Sequence, residues 1–151
     1  MTEGDLGILD TSTVVLLPRL PAGTSLPARP LITSITLAEL TVGPLVATDD
    51  AVRAARLAQV QQAEADFDPL PFDAAAARAF GPIAASYRRR GKKGAARAFD
   101  ALIAAIALAN RLPLYTCNPE DFAGIDGLEV VAIPHPDRVG STKEEAHGDR
   151  A

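Results

Sequence analysis

An α/β fold is predicted for this chain: a three-layer sandwich with a central, mostly parallel, twisted sheet flanked by helices. Three observations predict it. Short apolar runs at 6–9, 31–35, 113–116 and 129–133 recur among longer stretches of helical periodicity, the pattern of a parallel sheet covered by helices. Four acidic residues, Asp10, Glu39, Asp100 and Asp121, each stand at the end of an apolar segment. In open α/β sheets ligands bind outside the carboxyl ends of the strands, and at least three of these acids sit at or just past such an end.

The first strand, 6–9, closes on Asp10, and Thr11 and Ser12 open the way to a short helix over 13–17 that Pro18 and Pro21 end. Residues 20–30 carry Pro21, Gly23, Pro27 and Pro30 and read as a loop. The second strand, 31–35, leads into a helix over 37–47 containing Glu39, where Gly43-Pro44 predicts a kink or break. Asp49-Asp50 forms the acidic first turn of a further helix, with Val52, Ala55, Leu57 and Val60 on a partly apolar face before Phe67. The segment 68–72 is too proline-rich for a central strand and suits an edge. Asp73 caps a helix running to about Arg90, and Gly91 and Gly94 break the pattern before a helix over 95–110. That helix carries Phe99, Leu102, Ile103, Ile106 and Ala107 at helical spacing, with Asp100 interrupting its apolar surface. The last two strands follow, and Asp121 lies in the turn after the first of them.

At 151 residues, 48% of them apolar, the chain is sized for one domain, set at 1–136, with a polar tail at 137–151 expected to be disordered. No apolar run reaches the roughly eighteen residues of a membrane span, and the N-terminal segment carries Glu3 and Asp5 where an export signal is basic. A soluble, cytoplasmic protein is expected, without membrane association. The single cysteine, Cys117, excludes an internal disulfide and a cysteine-based zinc cluster. It reads as a small side chain near a strand, and His135 and His147 lie near or in the tail, poorly placed as zinc ligands. Tyr87 and Tyr115 read as core or rim residues ahead of base-stacking ones. No dinucleotide or P-loop glycine motif is present.

The formal net charge is −4, yet six of the fifteen Lys and Arg residues, Arg88, Arg89, Arg90, Lys92, Lys93 and Arg97, fall within ten positions. Two readings stand side by side: a solvated helix end favoured by the macrodipole, and a patch that steers a polyanion toward Asp100.

Taken singly, Asp10 reads as a helix N-cap, Glu39 as a solvated helix residue and Asp121 as a loop acid. Together they read as one site. The phrases Ile8-Leu9-Asp10-Thr11-Ser12, Ile35-Thr36-Leu37-Ala38-Glu39-Leu40, Phe99-Asp100-Ala101-Leu102-Ile103 and Thr116-Cys117-Asn118-Pro119-Glu120-Asp121-Phe122 resemble the PIN-domain ribonucleases, and more narrowly the VapC toxins of bacterial toxin–antitoxin pairs. The resemblance covers about residues 6–133. It implies a PIN-like sandwich, Mg²⁺-dependent endoribonuclease activity with Mn²⁺ as a substitute, homodimerisation, and inhibition by a VapB-type antitoxin in a heterotetramer or larger assembly.

Carboxylates are suitable ligands for such hard cations. Two of them about 4 Å apart repel by roughly 4 kcal/mol at an effective dielectric of 20, so a cluster without a cation is strained. Asp10 and Asp100 are assigned to the principal Mg²⁺. Glu39 and Asp121 bind through water, complete a second site or orient the attacking water, and Thr11, Ser12, Thr116 and Asn118 hydrogen-bond around them. A haloacid-dehalogenase-type phosphatase needs a second Asp two residues after the first, where this chain has Ser12. A non-catalytic PIN-like binding module is the remaining alternative.

Overall fold

The computed structural model describes residues 5–138. The expected tail at 137–151 therefore lies outside them except for its first two residues, and these are tethered: Asp137 pairs with Arg19, and Arg138 with Glu120. Four parallel strands, β1 (Leu6–Leu9), β2 (Arg29–Leu31), β3 (Leu114–Thr116) and β4 (Val130–Ala132), form a sheet in the order β2-β1-β3-β4. The helices are α1 (Thr11–Leu16), α2 (Ser34–Val46), α3 (Asp50–Asp66), α4 (Ala74–Arg89) and α5 (Ala95–Asn110), with 3₁₀ turns at Leu17–Arg19 and Pro119–Phe122.

Successive strand residues point to opposite faces, and β1 shows the result. Ile8 packs into a core with Ile83 and Tyr87 of α4 and Ile103, Ile106 and several alanines of α5. Its neighbour Leu9 packs into a second core with Val14 of α1, Leu40 of α2 and Val60 and Ala63 of α3. The two cores on opposite faces make the predicted three layers. Small side chains at Ala101, Ala104, Ala105 and Ala107, all essentially buried, let α5 lie deep in the first core. Gly7 serves a similar end within the sheet, since a Cβ there would run into the ring of Tyr115 on the adjacent strand.

Caps set most helix starts. Asp49 accepts from Ala51 N at 2.7 Å and Val52 N at 3.1 Å, and Asp73 from Ala76 N at 2.9 Å. Thr33 accepts from Thr36 N at 3.2 Å, which starts α2 at Ser34, three residues before the predicted start. The expected strand over 31–35 is correspondingly short and earlier. Pro44 does not break α2: it lies in the last turn, where one lost backbone bond is tolerable, and Arg56 Nη1 donates to the carbonyl of Gly43 at 3.0 Å. The proposed edge strand at 68–72 is a single parallel bridge between Leu70 and Thr33. Among the described residues, no helix is long and apolar enough to cross a membrane.

Candidate metal-dependent active site

Strand order determines where a ligand can enter. From β1 the chain moves outward to β2, then returns past β1 to β3, so successive connections leave in opposite directions at the β1–β3 seam. Such a switch point opens a crevice beyond the carboxyl ends of the strands. Asp10 directly follows β1 and Thr116 ends β3, and Thr116 Oγ1 donates to Asp10 Oδ2 at 2.8 Å across the seam.

Asp10 is 4% exposed and accepts three further bonds: from Thr13 N at 3.1 Å and Thr13 Oγ1 at 2.5 Å on Oδ1, and from Ser12 Oγ at 3.0 Å on Oδ2. It is thus both the N-cap of α1 and the centre of the acidic crevice. Burial pushes its pKa above the usual aspartate value, and the bonds from Thr13, Thr116 and Ser12 oppose the rise. Four donors fill a carboxylate's lone-pair positions, so direct coordination by Asp10 requires a hydroxyl to turn away. Ser12, which accepts from Asn118 Nδ2 at 3.1 Å, is the partly exposed one. The backbone N–H of Asn118 donates to Thr116 Oγ1 at 2.9 Å, tying the β3 end into the same network.

Glu39 projects from α2. Its Oε1 accepts from Thr11 Oγ1 at 2.7 Å, and Thr11 Oγ1 also contacts Thr36 Oγ1 at 2.9 Å. Burial raises the Glu39 pKa, the bond from Thr11 lowers it, and the charge of Asp10 raises it again.

Asp100 lies in the second turn of α5 with its side chain 18% exposed. Its Oδ2 is buried without a hydrogen bond; Arg97 Nη1 is 3.2 Å away, an ionic contact that lacks hydrogen-bond alignment. Burial pushes the Asp100 pKa up to about 7, against the pull of Arg97 and with the repulsion of Asp121, Asp10 and Glu39. All four acids therefore act within one electrostatic field. Asp121, on the 3₁₀ turn after β3, pairs with the same Arg97 Nη1. That bond is the main reason the Arg97 pKa is raised.

Arg97 thus neutralises the cluster from within. Among the described residues, no three His, Cys, Asp or Glu side chains are grouped closely enough to hold a metal ion as they stand. Closure on an ion needs side-chain movement, starting with the Arg97 guanidinium. The donor set nevertheless fits a hard divalent cation: it is all oxygen, it is acidic beyond what one guanidinium balances, and Asp100 Oδ2 is buried with its hydrogen-bonding capacity unspent.

The six sequence-predicted cations divide. Arg88, Arg89 and Lys93 are exposed, whereas Arg90 donates to the carbonyls of Ala123 and Gly124, and Lys92 to that of Glu120. Arg88, Lys92, Lys93 and Arg97 rim a groove of about 900 Å³ between α4 and α5, floored by Phe80, Ala84 and Ala101. Sequence reasoning missed three members of the site. Thr13 had a signal, since it stands three residues after an N-cap acid, as did Thr36, three before Glu39. Tyr87, whose Oη donates to the Asp121 carbonyl at 2.7 Å, had none.

A family model described as PIN domain matches residues 8–128. Ribonuclease VapC5 of Mycobacterium tuberculosis (strain ATCC 25618 / H37Rv) is 37% identical over 129 residues, spanning 84% of this chain and 93% of that protein. A crystal structure of a member of the VapBC family of toxin–antitoxin systems, VapBC-5 from Mycobacterium tuberculosis, is similar with a TM-score of 0.69 and 32% identity, covering 85% of this chain and 98% of that one. DNA-bound VapBC from Salmonella typhimurium is similar with a TM-score of 0.63 and 27% identity, over 85% and 97% of the two chains. A parallel sheet of this order, acids gathered at its switch point and relatives aligned over nearly their whole length agree, and the chain belongs to the PIN-domain family, among its VapC members.

Proposed function

We propose that this protein is the toxin of a VapBC-type pair, a metal-dependent endoribonuclease of the cytoplasm that a VapB-type antitoxin neutralises. The observation that carries the reading is the gathering of Asp10, Glu39, Asp100 and Asp121 at the β1–β3 switch point, with Asp100 Oδ2 buried and unbonded. Mg²⁺, with Mn²⁺ able to substitute, is the cation this oxygen set suits; bound there it supplies charge neutralisation on the phosphodiester and a more acidic water.

Asp100 and Asp10 are the residues to hold it. Glu39, half-buried and held by Thr11, is placed to accept a proton from water or to orient it, and Asp121 completes the ring from the opposite loop. Thr11, Ser12, Thr116 and Asn118 fix the carboxylate rotamers. Arg88, Arg89 and Lys93 meet the RNA backbone, with Arg97 at the point where the basic groove reaches the acids. An apolar groove of about 560 Å³ lined by Val14, Leu17, Val52, Ala55, Ala63 and Phe67 is suited to an apolar helix of the antitoxin. Homodimerisation and a heterotetramer or larger complex with antitoxin belong to the same reading.

The test is cleavage of an RNA pool by antitoxin-free protein with Mg²⁺, Mn²⁺ or EDTA, alongside Asp100→Asn. That variant is cleaner than Asp10→Asn, because replacing an acceptor that takes four hydrogen bonds costs about 1–3 kcal/mol of stability. Metal-dependent cuts lost by at least about a hundredfold in folded Asp100→Asn support the proposal. Equal cleavage by the variant, or none by the wild type, moves the reading to a non-catalytic binding module, which the closure of the cluster by Arg97 favours.

A further inference from the structure

The basic run at the end of α4 does more than present charge. Three of its side chains reach across to the turn that carries Asp121. Tyr87 Oη donates to the Asp121 carbonyl at 2.7 Å, and Lys92 Nζ donates to the Glu120 carbonyl at 3.1 Å while standing 3.4 Å from that of Asp121. Arg90 forks over the next stretch, with Nη1 to the Ala123 carbonyl at 2.7 Å and Nη2 to the Gly124 carbonyl at 3.2 Å. The donors are themselves held in register: Lys92 N–H donates to the Tyr87 carbonyl at 2.9 Å, and its ammonium lies 5.1 Å from the centre of the Tyr87 ring.

The receiving turn is shaped to match. Gly124 has a φ of +75°, and a Cβ there would overlap the Arg90 guanidinium. Four carbonyls of 120–124 are thus engaged by one end of α4, while the Asp121 side chain points to Arg97. By contrast, Arg88, Arg89 and Lys93 make no side-chain hydrogen bond or ion pair with the described residues. Residues interleaved in one basic run therefore face two different tasks.

We propose that Arg90 and Lys92, with Tyr87, are positioning residues that hold the Asp121-bearing turn in the acid cluster, and that only Arg88, Arg89 and Lys93 of this run serve the polyanion. The proposal rests on the ribonuclease reading for its kinetic consequences, but not for its structural ones. Cations spent on backbone carbonyls add little to a nonspecific phosphate attraction. A displacement of a catalytic carboxylate by an ångström, on the other hand, lowers turnover by up to about a hundredfold.

The experiment compares Arg90→Ala and Lys92→Ala with the triple variant Arg88→Ala, Arg89→Ala, Lys93→Ala. Three quantities are read: kcat and KM for a short RNA at several salt concentrations, Mn²⁺ affinity by calorimetry, and amide exchange over 119–125. The positioning variants are expected to lose kcat by about tenfold or more, with KM and its salt slope within about twofold of wild type, weaker Mn²⁺ binding and faster exchange in the turn. Lys92→Arg, which restores a donor to the carbonyls, recovers kcat. The triple variant raises KM and flattens its salt slope, leaving the exchange of 119–125 unchanged. Arg90→Ala and Lys92→Ala that behave like the triple variant, or that change nothing, overturn the positioning role. Should wild-type protein cleave no RNA, the ribonuclease reading fails, while Mn²⁺ affinity and amide exchange still decide the positioning role.

Discussion

Asp100 is the side chain on which pH acts most plainly. An aspartate in an unfolded chain titrates near pH 4, whereas burial holds this one at about 7 in the fold. Between those values the folded protein keeps a proton that the unfolded chain has released, so its contribution to stability is complete below about pH 4 and is lost as pH rises through about 7. Asp10 and Glu39, also raised, act in the same direction. With EDTA present, Tm is expected to fall from about pH 5 to about pH 8, and Mg²⁺, which binds the ionised acid, is expected to open a widening gap over that interval. Asp100→Asn flattens the decline. Thermal scans in which the chelated wild type gains stability across that range contradict this assignment of the acid. The sequence marked Asp100 through its place in an apolar helix, but it did not show that Arg97, three residues earlier, would turn inward: i,i+3 spacing allows the contact, and only the fold brings Asp121 to the other side of the same nitrogen.

At the scale of elements, what was legible followed from local chemistry. Asp73 is an acid ahead of helical periodicity and caps as expected, whereas Asp49, expected in the first turn with Asp50, stands one residue before it as the cap. The start of α2 was not legible, because Ile32, Thr33, Ile35 and Thr36 are β-branched and the Thr33 cap that starts the helix is a single hydrogen bond in isolation. Pro44 was already placed near the end of the predicted 37–47 helix, and the observed end at Val46 leaves it in the last turn, where it does not break the helix. One element still carries avoidable strain. The C-terminus of α5 closes with Arg111 at φ 54°, the described non-glycine residue in the left-handed region, so that the N–H of Leu112 can reach the Ala107 carbonyl at 3.0 Å. Arg111→Gly is expected to raise stability by about 0.5–1 kcal/mol, the relief of the Cβ clash exceeding the added freedom of the unfolded chain. Denaturant titration checks it, and a drop in midpoint at constant slope would show that Arg111 contributes a contact that outweighs the strain.

For the whole molecule, charge distribution matters more than the net value of −4. Replacing Arg88, Arg89 and Lys93 with alanine removes three exposed cations from an already acidic protein. On single-stranded RNA the slope of log K against log salt is expected to shrink by about 2, at roughly 0.7 per neutralised phosphate. An unchanged slope in a binding titration would assign these cations to solvent alone. The three-layer order and the approach of Asp10, Glu39 and Asp121 were legible because alternation and the carboxyl-end rule are global constraints, whereas Asp100 reaches the same crevice from α5, which that rule does not cover. The division of the basic run was not, since it depends on which carbonyls a distant turn offers. The turn at Gly91 and Gly94, where both glycines take positive φ between α4 and α5, also divides the chain between its acids. Asp10 and Glu39 lie on one side of it, and Asp100 and Asp121 on the other. On the proposed role of the four acids, a chain opened there is expected to yield two polypeptides, each with half of the acidic set and inactive alone, so that RNA cleavage would report their reunion through the α4–α5 contact: a switch thrown by bringing two fusion partners together.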